Sequence, residues 1–129
     1  MRLHPKDKRD EYAPYIDQFD SVSQGGPIAP WLYAADFVVG MTSVALVEAA
    51  LLDRPTLSIV PRPSESQWLP TIAGGITPMV CQRADIPSAL RALVGARVDQ
   101  DHVDALIPPG AELRARDAIL TLLEAHPAS

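Results

Sequence analysis

The stretch "DFVVGMTSVALVEAALLDRPTLSIV", Asp36 to Val60, decides the fold. Its first part, "DFVVGM", is a short apolar run that reads as a buried strand. Ser43–Leu52 follows as a helix, with Thr42 and Ser43 at its start, where hydroxyl side chains favour capping. "RPTLSIV" is then a second apolar strand, rich in β-branched residues. Strand, helix and strand in this order predict a parallel pair wrapped by a helix.

Inside that helix stands one carboxylate, Glu48. At about 100° per residue, Val44, Ala45, Leu51 and Leu52 surround it, and Leu46, Ala49 and Ala50 lie opposite. A helix apolar all round is normally buried, and a buried carboxylate needs a partner. Three readings suit the position: an ion pair with an arginine, Arg54 and Arg62 being the candidates; exposure at an edge that the topology does not reveal; or a ligand such as a ribose diol.

Working outward, "MRLHP" reads as a strand ending at His4, whose place before Pro5 biases it to extended backbone. "KDKRDEYAPYIDQF" reads as a polar helix weakened by Pro14, "DSVSQGG" as a second strand running into Gly25-Gly26, and "PIAPWLYAA" as a short helix. Downstream, "PRPSESQWLPTIAGG" reads as a long irregular loop, "ITPMVC" as a last strand and "DIPSALRALVG" as a helix capped by Asp85 and stopped by Gly95. Its apolar face is Ile86, Ala89, Leu90, Leu93 and Val94. "ARVDQDHVDALIPPG" is a connector with one helical turn. "AELRARDAILTLLEA" is an amphipathic helix expected to bury Leu113, Ile119, Leu120 and Leu123. The expected class is α/β: a Rossmann-like open parallel sheet of about four or five strands, helices on both faces, in a single domain over 1–129.

Composition narrows the function. Net charge is −5 over 129 residues, with no basic stripe to neutralise phosphates, which argues against nucleic acid as a partner. The single cysteine, Cys81, rules out an internal disulfide and suits a reducing, cytoplasmic setting. The uncharged run Phe37–Val47 is too short to span a bilayer. The thirteen prolines fall largely at junctions between elements and punctuate the chain. No metal-ligand spacing, acid–base pair or catalytic triad stands out, and His102 and His126 read as solvated.

In open parallel sheets, ligands bind beyond the carboxyl ends of the strands. That rule gathers His4, Gly25, Gly26, Thr42, Ser43 and Arg62, with Ser64 beside it, along one expected edge. Thr42 and Ser43 open a helix whose free N–H groups and dipole suit a phosphate, although simple capping explains them equally well. Glu48 stands about one and a half turns further along. The Gly-Gly pairs lack the spacing of a dinucleotide fingerprint.

"MRLHPKD", followed about thirty residues on by "AADFVVGMTSVALVEAALLDRPTLSIVP", resembles the C-terminal lobe of glycosyltransferases with two Rossmann-like lobes (GT-B). It is most similar to capsule and surface-polysaccharide enzymes with an "HP" element and to UDP-N-acetylglucosamine 2-epimerase-like proteins. The resemblance covers residues 1–95, with 96–129 fitting the closing helices loosely. It implies that the lobe holds the nucleotide of an activated sugar, UDP- or CMP/CDP-linked, as substrate and with no cofactor. It further implies that Thr42 and Ser43 meet the phosphates, that Glu48 meets the ribose and that His4 lies near the phosphates. Such enzymes are more than twice as long and catalyse between two lobes, so this chain alone is expected to be catalytically incomplete and to need an N-terminal lobe or partner chain. Its catalytic residues stay unassigned.

Two other readings compete. A non-catalytic interaction or oligomerisation module, a homodimer for instance, would bury the helix Ser43–Leu52 in an interface and pair Glu48 with an arginine. A stand-alone hydrolase or receiver-type domain of flavodoxin-like topology is the other; a receiver needs a cluster of acids at strand ends, whereas Asp36 precedes its strand.

Overall fold

A computed structural model describes residues 1–125, so His126 lies outside the described residues. The chain is α/β and divides into two compact units, Met1–Pro30 and Trp31–Ser129.

The first unit holds two short parallel strands, β1 (Arg2–Leu3) and β2 (Ser23–Gln24), with Arg2 opposite Ser23 and Leu3 opposite Gln24. Between them lie a 3₁₀ turn, Arg9–Tyr12, and the single-turn helix α1 (Ala13–Ile16). The one polar helix expected here is thus broken in two. Pro14 sits in the first turn of α1, where its missing N–H costs nothing, but it cannot continue a helix begun upstream. The short helix α2 (Ala29–Ala34) begins at the end of this unit and runs into the second, where its Leu32 is buried.

The second unit is built on three parallel strands in the order β3 (Val38–Gly40), β4 (Thr56–Ile59), β5 (Met79–Val80). Helix α3 (Val44–Leu51) connects β3 to β4, and α5 (Ile86–Leu93) follows β5. Both helices pack on β4. Leu57 turns one way, into a core with Val80, Leu93 and the flanking Phe37, Ile59, Ile86, Ala89 and Leu90. The opposite face carries Gly40 and, paired with it, Ser58. A Cβ on Gly40 would stand 3.6 Å from the Leu46 side chain, so small residues there seat α3 on the sheet.

The sheets have two and three strands, in place of one sheet of four or five. The strand expected to be buried, β3, has a partner on one side only, and Val39 is 40% exposed. The stretch expected as an irregular loop forms a 3₁₀ helix, Pro63–Trp68, and the short helix α4 (Pro70–Ala73). These are anchored by buried Glu65, Leu69 and Thr71. Its prolines open helical turns as well as breaking them.

Further corrections fall near the C-terminus. The connector forms α6 (Gln100–Leu106), capped by the Asp99 carboxylate, which accepts from the His102 amide, and anchored by Val103 at 0% exposure. Asp85 stands at the start of α5 without a side-chain capping bond. Val94 is exposed because it is the extended C-cap of α5, just before Gly95 at φ +75°. Helix α7 (Ala111–Ala125) is amphipathic in sequence, yet Leu113, Ile119, Leu120 and Leu123 are about half exposed or more. Nothing among the described residues covers them.

Candidate functional site

In the first unit, β1 and β2 run parallel and in register, so His4 and Gly25 leave the sheet at the same end. His4 is exposed and heads a tight turn. Its amide donates to Asp7 Oδ2 at 2.8 Å, and its carbonyl accepts from the Asp7 amide at 3.0 Å. The ring Nδ1 accepts from the Lys6 amide at 3.2 Å. With Nδ1 as acceptor, the neutral ring carries its proton on Nε2 and offers it outward as a donor.

The turn is braced from β2. Gln24 Nε2 donates to the His4 carbonyl at 3.1 Å and to the Asp7 carbonyl at 2.7 Å. Gly25 and Gly26 both have φ near +70°, which side-chain-bearing residues rarely adopt. Their carbonyls accept from Arg2 Nη2 at 2.7 and 2.6 Å. That contact is structural: Arg2 fixes the glycine pair by its carbonyls.

In the second unit, Met41–Ser43 follow β3 and Val60–Arg62 follow β4, again at one end of a parallel pair. The Ser58 hydroxyl donates to the Met41 carbonyl at 2.6 Å, tying the loop that starts α3 to the sheet. Ser43 is the N-cap of α3, in extended backbone, and its Oγ accepts from the Ala45 amide at 3.2 Å. Thr42 is half-buried beside it. Capping is therefore present. It satisfies the Ala45 amide and leaves other first-turn N–H groups, such as that of Val44, without intrahelical acceptors.

Glu48 corrects the expectation of a buried carboxylate and agrees with the alternative of exposure at an edge. Helix α3 is buried on the side of Leu46, Ala49 and Ala50 only, while Val44 and Leu51 are 65% and 45% exposed. Glu48 shares the exposed face with these two and is itself half-buried. An apolar composition on every side did not bury every side, because the three-stranded sheet covers one. Among the described residues, no hydrogen bond or ion pair reaches the Glu48 carboxylate.

The buried carboxylate of this unit is Glu65, at 3% exposure, which sequence reasoning passed over. Arg62 Nε donates to its Oε1 at 2.6 Å, and Arg62 Nη2 reaches the same oxygen. Glu65 Oε2 is buried without a partner. The signal was present in the spacing, since Arg62 and Glu65 lie three apart at the start of a helical turn. Ser64, expected beside Arg62 as a polar contact, is exposed and makes no side-chain hydrogen bond among the described residues.

The site residues thus form two groups, each within its own unit: His4, Gly25 and Gly26, and Thr42, Ser43, Glu48 and Arg62. The available chemistry is that of binding: first-turn N–H donors of α3, the exposed Arg62 guanidinium and, among the described residues, an unpartnered Glu48 carboxylate. Among the described residues no three His, Cys, Asp or Glu side chains converge as a metal site, and no helix is long and apolar enough to cross a membrane. Compared with protein-family models, curated proteins and solved structures, the chain matches none.

Proposed function

We propose that this chain is the nucleotide-sugar-binding lobe of a glycosyltransferase, or of an epimerase-like protein, that catalyses only with a second lobe. The observation that carries the reading is Glu48: a carboxylate with no partner among the described residues, one turn beyond the first residue of α3, on its accessible face. A phosphate at the start of α3 would meet N–H groups and a favourable dipole. A ribose diol one turn further would find Glu48 as a double acceptor. The parallel β3–α3–β4 arrangement supports this, because its strand ends are where ligands of open α/β sheets bind.

Calorimetric titration with UDP, CMP and the 2′-deoxy analogue of UDP tests it. Glu48→Ala should weaken UDP by about 1–3 kcal/mol, the range for a hydrogen-bonded charged group, and should erase the preference for ribose over deoxyribose. Ser43→Ala should weaken both analogues alike. Unchanged affinity in both variants would sink the reading.

The exposed apolar face of α3 favours a second reading. Met41, Val44 and Leu51, all 45% exposed or more, form a patch suited to a protein partner, in which case Glu48 finds an arginine across the interface. A monomer without nucleotide affinity excludes the nucleotide lobe and the homodimer alike.

A further inference from the structure

We propose that Glu65 is a positioning residue that makes Arg62 a two-edged anion clamp at the end of β4; the inference rests on the nucleotide reading for its ligand class, a phosphate or diphosphate group. The guanidinium has five N–H donors in a rigid plane. Glu65 Oε1 takes Nε and one N–H of Nη2. Of the three remaining donors, one on Nη1 and one on Nη2 form the end edge, the geometry that grips phosphate through two parallel bonds. The Arg62 side chain is 72% exposed and that of Glu65 only 3%, so the pair has a buried anchor and an accessible head.

A buried carboxylate with one oxygen unsatisfied is unfavourable for folding, and Glu65 Oε2 is such an oxygen. Arg62 is the only compensation the described residues give Glu65. A pair kept for stability alone would satisfy both oxygens. A pair kept to hold one edge of a guanidinium needs one oxygen only. At a net charge of −5, the chain attracts no anion by its overall field, so local geometry must do so.

The clamp predicts a coupling between the two positions. A lysine at 62 has a single nitrogen and no second planar edge, so an ammonium held by Glu65 cannot offer the anion two parallel bonds. Titrations of pyrophosphate and of UDP into wild type, Arg62→Lys, Glu65→Gln and the double variant, with circular dichroism to verify folding, read this coupling. Arg62→Lys should weaken pyrophosphate about tenfold when Glu65 is present and have little effect when residue 65 is glutamine. Equal losses in both backgrounds, or no loss in either, would overturn the proposal.

A second measurement needs no variant. In wild type the Arg62 Nε–H resonance should be protected from solvent, shift on pyrophosphate addition and stay protected. Its disappearance, or no shift, would overturn the clamp. UDP separates this proposal from the reading beneath it. Shifts at Thr42 and Ser43 without Arg62 leave the lobe standing and remove the clamp. A pyrophosphate response at Arg62 with no UDP response at α3 does the reverse.

Discussion

The Ser58 hydroxyl, fully buried on the central strand, donates to the Met41 carbonyl at 2.6 Å, so the floor of the sheet fixes the loop from which α3 starts. Gly40 and Ser58 are paired across β3 and β4, which puts this bond at the strand end where the proposed ligand sits. Ser58→Ala removes the donor and leaves the Met41 carbonyl to solvent. We expect a stability loss of about 1 kcal/mol, as for an ordinary hydrogen bond. Hydrogen exchange should quicken at the α3 amides more than at those of α5, and equal acceleration in the two helices would contradict the assignment.

A buried hydroxyl chain closes the other part of the same sheet face. Thr77 Oγ1 donates to Thr71 Oγ1 at 2.9 Å and lies 2.8 Å from Thr56 Oγ1. Thr77 has a single proton, already given to Thr71, so Thr56 must be the donor in its bond. Thr77→Val keeps the shape but strands two buried partners, and should lower unfolding stability by about 1–3 kcal/mol in urea denaturation. Thr56→Val removes a donor only and should cost less.

Helix α3 ends in a left-handed residue that is not glycine. Asp53 has φ +57°, just beyond the C-cap Leu52, at the position where helices most often place glycine. Its ion pair to Arg97 spans 3.9 Å between exposed groups and contributes little. Asp53→Gly should raise stability by about 0.5 kcal/mol, the relief of backbone strain outweighing the added freedom of the unfolded chain. A fall in thermal midpoint would show that the Asp53 carboxylate matters more than its backbone.

Tyr12 carries a pH signature. The Asp7 carboxylate, which accepts from its hydroxyl at 3.2 Å, raises the Tyr12 pKa above the ordinary 10.0, chiefly by charge repulsion of the phenolate. The folded state therefore holds this proton more tightly than the unfolded chain. The contribution is intact below pH 10 and is lost as pH rises through the folded pKa. Ultraviolet titration of wild type against Tyr12→Phe isolates the group. Asp7→Asn should move its midpoint down while keeping an acceptor for the His4 amide.

Much of this architecture was legible in the sequence, for reasons that also explain the failures. The strand–helix–strand from Val38 to Ile59 was plain because its apolar runs, hydroxyl cap and terminal proline all point to one answer. His4 and the glycine pair were placed at a shared strand end by the parallel reading alone, and the register of β1 and β2 agrees. Burial was read less well. Glu48, Val39 and α7 were assigned to a core that a sheet of three strands is too small to provide. Glu65 is not legible as buried, because a glutamate in a Pro- and Ser-rich stretch has the pattern of a solvated loop residue. Glu65, Leu69 and Thr71 are all buried, so this segment is part of the packed fold.

The central claim is that the start of α3 receives the phosphates of a nucleotide and that Glu48 receives its ribose. Backbone amide NMR on the isotopically labelled chain, titrated with UDP, CMP and a UDP-sugar, tests it most directly. The account predicts shifts concentrated at Thr42, Ser43 and Val44, extending to Glu48 and vanishing at Glu48 in Glu48→Ala. No shift at millimolar ligand, or shifts spread evenly over the chain, would contradict it and leave the exposed face of α3 as a surface for a protein partner.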